Sequence, residues 1–310
     1  MSAAAPFADP WRFVPNYEVY LLVAFLAGAF VYSVKVLGPR AVLSGAPTVS
    51  RRESTCFVLA LVVLFVASTW PVHTIGEDYL YWIHMVQHMM FSHFLAPLVL
   101  LATPEWLMRL LVGSGRTYRV VTRLTHPVTA GLIYNAMVAI LHIPGVVNTA
   151  PTNAPLHYLL HLMVVVTSIV MWAPIVGPLR ELQMQPTGKM VYLFLMGVVP
   201  TIPAMWLAMA EKPVYRHYGG QPVRVWGMSA IDDQQVAGVI MKVVMGLFMW
   251  AVMGYIYFAR FGKHEVQDYS YRRAGTMPTA EITGNVQDDL TFDEVQAAFD
   301  RAQAPLEQQR

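Results

Sequence analysis

Seven apolar stretches separated by polar connections organise this chain: Tyr17–Leu37, Thr55–Trp70, Leu80–Ala102, Pro127–Ile143, Leu156–Gly177, Met190–Met209 and Gln235–Ala259. Most reach the ~20 residues that a helix needs to cross a bilayer. The second and fourth are shorter. Pro71, Pro104, Pro144 and Pro178 mark the ends of four stretches, where the chain must leave helical geometry. No repeat of 20–50 residues is evident. The pattern predicts an all-α, polytopic membrane helix bundle of about seven transmembrane helices.

Composition supports that reading. The chain is 56% hydrophobic and 13% charged, about half the charged share of a soluble domain. The first sixteen residues lack the basic-then-apolar order of a cleaved signal, so the first span is expected to stay as a helix. The single cysteine, Cys56, excludes an intramolecular disulfide and a Cys-based metal cluster within the chain.

Charge then orients the bundle. The connections after spans 1, 3 and 5 and the stretch from Arg260 to Arg273 after span 7 carry thirteen Lys and Arg, while the N-terminus and the remaining connections carry four: Arg12, Lys212, Arg216 and Arg224. The positive-inside rule places the N-terminus outside and the C-terminus in the cytoplasm. Residues 1–262 are expected to form the membrane domain. Residues 263–310 are expected to form a polar cytoplasmic tail, largely disordered. Within the tail, Thr291 and Glu294 have capping-box spacing, and Phe292, Val295 and Phe299 could line one short helix. Thr103–Thr125, with Trp106, Leu107, Leu110, Leu111 and four Arg, reads as one helix lying on the cytoplasmic surface against lipid. Lipid is the expected surroundings; a nucleic-acid partner is not expected.

The chemistry-bearing residues collect at the outer side. His84/His88 and His157/His161 are H-x-x-x-H pairs, so each pair lies on one helix face, one turn apart. Both spans run inward, which puts the pairs at matched depth. His142 ends the outward-running fourth span, and Asp233 and Met241 lie near the start of the seventh. His73 and His217 fall in external loops. A single intramembrane His can be accounted for as a hydrogen bond between helices. Five at one depth point instead to a metal or haem site. Imidazole with thioether suits copper; among the 19 Met residues, most of which are core filler, Met241 is the candidate ligand. Asp233 could orient an imidazole or simply favour the helix start. His93 faces elsewhere and reads as a core hydrogen-bonding residue, His126-Pro127 as a helix start, and Lys242 as snorkelling or paired with an acid. Three classes remain open: a metal-handling protein, a haem b redox protein with paired His axial ligands, and an ion transporter. A di-iron oxygenase would want more His, including adjacent pairs, and the chain has no such pair.

Several stretches together resemble the CtaG-type cytochrome c oxidase assembly factors of bacterial membranes. They are HMVQHMMFSHFLAPLVLLATP (84–104), THP (125–127), LHIPGV (141–146), LHYLLHLMVVVTSIVMWAPI (156–175) and DQQVAGVIMK (233–242). The resemblance implies a non-enzymatic protein of the bacterial inner membrane. It also implies help for a terminal oxidase in acquiring copper, with oxidase subunit I as the partner. His84, His88, His142, His157 and His161 would carry the family's membrane histidines, with Asp233 and Met241 from its last motif.

Overall fold

The computed structural model describes residues 9–42 and 46–275, with side chains described through residue 259. Among the described residues the chain is helical, with no strand. In chain order the helices are α1 (Tyr17–Ala41), α2 (Arg51–Ser68), α3 (Val72–Asp78), α4 (Tyr81–Ala102), α5 (Glu105–Val112), α6 (Arg116–Leu124), α7 (Pro127–Leu141), α8 (Pro144–Thr149), α9 (Ala154–Val176), α10 (Pro186–Ala208), α11 (Arg216–Gly219) and α12 (Ala230–Gly275).

Five of these, α1, α4, α9, α10 and α12, are each long and apolar enough to cross a membrane. The two short stretches of the sequence become α2 and α7. Each meets the criterion only together with a short helix bent against it, α3 at 41° and α6 at 67°, so five to seven spans are present. Large apolar side chains such as Leu21, Leu132, Ile202 and Leu247 face outward, as lipid solvent permits.

The bundle is built around α4, of whose apolar window 56% is buried, against 6% for α1. α4 packs on α2 and α9, and α9 packs in turn on α7. Tyr134, Met171, Trp172, Leu193, Met245 and Met249 interlock in the largest core cluster. A π-turn over Met90–Leu95 interrupts the α-helical ladder of α4. There the Ser92 carbonyl accepts from Trp172 Nε1 at 2.8 Å, so the local break is filled by a neighbouring helix. Gly238 lets α12 cross α10 at backbone distance, because a Cβ there would meet the Ala204 carbonyl.

One element differs from the sequence reading. The predicted single surface helix over Thr103–Thr125 is broken into α5 and α6. Gly113 (φ 62°) and Gly115 (φ 71°) take the left-handed backbone that ends one helix and opens the next. α12 runs as helix to Gly275. The chain divides into units Met1–Phe258 and Ala259–Arg310. The short helix expected around Thr291–Phe299 lies outside the described residues.

Candidate metal centre

The first turns of α4 and α9 bring the two histidine pairs together. α9 is capped by Asn153, whose Oδ1 accepts from the Leu156 amide at 3.1 Å. α4 receives its cap from a distant helix. Asp233 of α12, fully buried, accepts the Tyr81 and Trp82 amides, each at 2.9 Å. A carboxylate at a helix N-terminus satisfies free amides and complements the helix dipole. Asp233 thus holds the turn from which His84 and His88 project.

The imidazoles converge. Ring centroids lie 4.4 Å apart for His84–His88, 4.3 Å for His157–His161, 5.1 Å for His88–His161, 5.8 Å for His84–His161 and 6.3 Å for His84–His157. A fifth group sits among them. Glu77 Oε1, from α3, lies 3.1 Å from His84 Nδ1, 3.0 Å from His157 Nε2 and 3.5 Å from His161 Nε2. Only His84 makes a hydrogen bond there. The Nε2 atoms of His157 and His161 face the same oxygen as ion-pair neighbours without a hydrogen bond to it.

Glu77 is held by its backbone. Gly76 seats α3 on the start of α4: a Cβ there would lie 3.0 Å from the His84 amide nitrogen. The Gly76 carbonyl accepts from Tyr218 Oη at 2.9 Å, and the Glu77 carbonyl accepts from His217 Nε2 at 2.8 Å. Asn148 Oδ1 in turn accepts the His217 amide at 3.1 Å. Burial keeps the His217 imidazole below its ordinary pKa, so at neutral pH it serves as a neutral donor. The connection between α10 and α12 therefore clamps the helix that carries the carboxylate.

This arrangement has the chemistry of a cation site. His84, His88 and His161 offer nitrogens within 4.8 Å of one another, and Glu77, His157 and His161 form a second such trio. Ligands bound to one ion at about 2 Å lie a little over 3 Å apart, so modest side-chain rotation closes either trio. His84 donates Nδ1–H to Glu77, which leaves Nε2 with a free lone pair, as in carboxylate–histidine–metal triads. Glu77 Oε2 and the Nε2 atoms of His88, His157 and His161 are buried without a hydrogen-bond partner. Each such atom costs ~1–3 kcal/mol if left bare, so the cluster favours an occupant. A cavity of about 20 Å³ among His84, His88, His157, His161 and Tyr218 offers room for one small species.

The other expected residues fall elsewhere. His142 donates Nδ1–H to the Val138 carbonyl at 2.7 Å, and its Nε2 is buried and unpartnered. It faces a neighbouring cavity, shared with His88 and Met241. Lys242 donates to Thr201 Oγ1 at 2.7 Å. His93 pairs with Ser92 Oγ at 2.6 Å and is buried, matching its core reading, and His126 is the N-cap position of α7.

Sequence reasoning missed Glu77 and placed His73 in a loop. His73 lies on α3, with its ring 6.1 Å from His157 and 6.4 Å from His161, and Gln87 Nε2 donates to its Nδ1 at 3.1 Å. The available signal was the HTIGED run (73–78): an acid and a histidine one helical turn apart, bounded by Pro71 and Leu80.

Fold and site together define a polytopic membrane protein that gathers four histidines and a glutamate in a buried pocket at one end of its bundle. The model of the cytochrome c oxidase caa3 assembly factor family (Caa3_CtaG) matches residues 28–261, and the chain belongs to that family. No curated protein and no solved structure matches the chain significantly.

Proposed function

We propose that this oxidase assembly factor handles copper, binding it in the His/Glu pocket and passing it to the apo-oxidase in the bacterial inner membrane, with subunit I as the recipient. The observation that carries the reading is the convergence of His84, His157 and His161 on Glu77, with His88 beside them and four buried polar atoms left without a hydrogen bond. Imidazole suits copper among other first-row ions. More donors are present than one ion can use, and such a surplus suits a cargo that must be released, because ligands can be exchanged one at a time. The basic residues of the connections support a pocket that opens to the outside. The role is delivery rather than catalysis.

The haem alternative has less support. A cavity of about 20 Å³ is far below the ~300–1,000 Å³ of sites for larger organic ligands.

The test is copper binding by the purified full-length protein, wild type against His84→Ala/His88→Ala. The double variant is expected to lose copper stoichiometry; unchanged binding removes these residues from the site. In cells, deletion of the gene is expected to lower the copper content of the oxidase. Normal oxidase copper in the deletion strain would contradict the delivery role.

A further inference from the structure

A second cavity adjoins the His/Glu pocket, and its lining is chemically different. It has a volume of about 60 Å³ and is walled by His88, His142, Met85, Met89, Met137 and Met241. These residues come from three helices, α4, α7 and α12 (His142 directly follows α7). Met is common core filler, and the five Met side chains around the cavity, Met245 included, would by themselves mean packing. The imidazoles change that reading. His142 is nine-tenths buried, and its Nδ1–H is committed to the Val138 carbonyl. Its Nε2 therefore carries a bare lone pair, and that atom has no partner. His88 Nε2 is likewise buried and unpartnered. Packing alone gives no reason to leave three imidazole nitrogens, that of His93 included, unsatisfied beside five thioethers.

We propose that this chamber is a distinct site for a soft monovalent cation, Cu(I), bound by His142 and His88 nitrogen together with thioether sulfur from Met85 and Met241. The donor sets of the two cavities divide by softness. The outer pocket is lined by imidazole, with the Glu77 carboxylate 3.0–3.5 Å behind three of the rings, a set that serves divalent ions such as Zn(II), Co(II) or Cu(II); the inner chamber offers imidazole and thioether, which select Cu(I). No carboxylate lines the chamber among the described residues. His88 forms part of the wall of both cavities, so an ion in one lies a single side chain away from the other. The proposal rests on the copper-handling reading and refines it from one site to two.

The experiment compares wild-type full-length protein with Met85→Leu/Met241→Leu and with Glu77→Gln/His157→Ala. Leucine conserves volume and apolarity, so the methionine variant should keep its fold. Cu(I) is titrated anaerobically against a chromophoric Cu(I) chelator, copper-edge X-ray absorption reads the ligand atoms, and Co(II) absorption reports the outer pocket. The wild type is expected to show sulfur scattering near the ~2.3 Å typical of metal–sulfur bonds. The methionine variant is expected to lose one Cu(I) equivalent and the sulfur signal while keeping its Co(II) spectrum. The Glu77/His157 variant is expected to lose Co(II) and keep the sulfur-ligated Cu(I). A methionine variant with undiminished Cu(I), or a wild type without sulfur scattering, overturns the chamber. Failure of wild-type protein to bind Co(II) or copper through nitrogen overturns the outer pocket instead, so the two failures are distinguishable.

Discussion

The two ends of α4 treat charge in opposite ways. Beyond its C-terminus, Arg109 meets Glu105 at 2.7 Å and Glu181 at 3.0 Å, and these side chains are about half exposed. Each of these three charges has a partner and access to solvent. At the N-terminus of α4, Glu77 and four histidines lie within a few ångströms, are about nine-tenths buried, and leave donor atoms unpaired. Exposed ion pairs contribute little to stability because water and salt screen them. Buried, incompletely paired groups are costly unless something binds them. The Arg109 network therefore reads as surface scaffolding, and the His/Glu pocket as a site that keeps its cost because it is used.

Breaking the pocket should have the largest effect. Glu77→Gln removes the negative charge from among four imidazoles, and metal affinity should fall by at least the ~10–100-fold seen for groups that orient ligands; competition titration with a metallochromic indicator checks it. Gly76→Ala comes next. Its Cβ would press on the His84 backbone at 3.0 Å. Overpacking of this kind costs ~1–3 kcal/mol, and displacement of α3 should weaken metal binding as well. A thermal midpoint measured with and without metal separates the two effects. Asp233→Ala should cost about 1–2 kcal/mol through loss of the α4 cap, with only a partial loss of metal affinity, because Asp233 acts through the position of the turn. Arg109→Ala should change neither the thermal midpoint nor metal binding measurably.

The pH dependence sharpens the same contrast. Only neutral imidazole binds metal, so protons compete for the ligands. Metal occupancy should therefore be highest at neutral and alkaline pH and decline on acidification, read as bound metal after dialysis at a series of pH values. The Arg109 ion pairs, with no imidazole, should be indifferent over that range.

The hydrophobic pattern in the sequence located the long helices, because span length and lipid contact impose a signal that requires no knowledge of tertiary contacts. It also grouped the four paired histidines, because helical spacing and depth are both readable along the chain. The pattern could not reveal that α3 folds onto the start of α4, since that contact depends on a missing Cβ at Gly76 and on hydrogen bonds from Tyr218 and His217. Glu77 and His73 consequently read as loop residues. Asp233 was expected to orient an imidazole or favour its own helix start; its tie to the Tyr81 and Trp82 amides is a contact across about 150 residues that no local pattern encodes. The glycines at 113 and 115 were the readable signal for the break between α5 and α6; the amphipathic run across them concealed it.

His161 belongs to both ligand trios, which makes it the sharpest probe of the central claim that the pocket binds metal. The measurement is metal stoichiometry after equilibrium dialysis of purified full-length protein, wild type against His161→Ala, with circular dichroism showing that both are folded. The account predicts bound metal with nitrogen coordination in the wild type and its loss in the variant. Equal stoichiometry in the two folded proteins would contradict it.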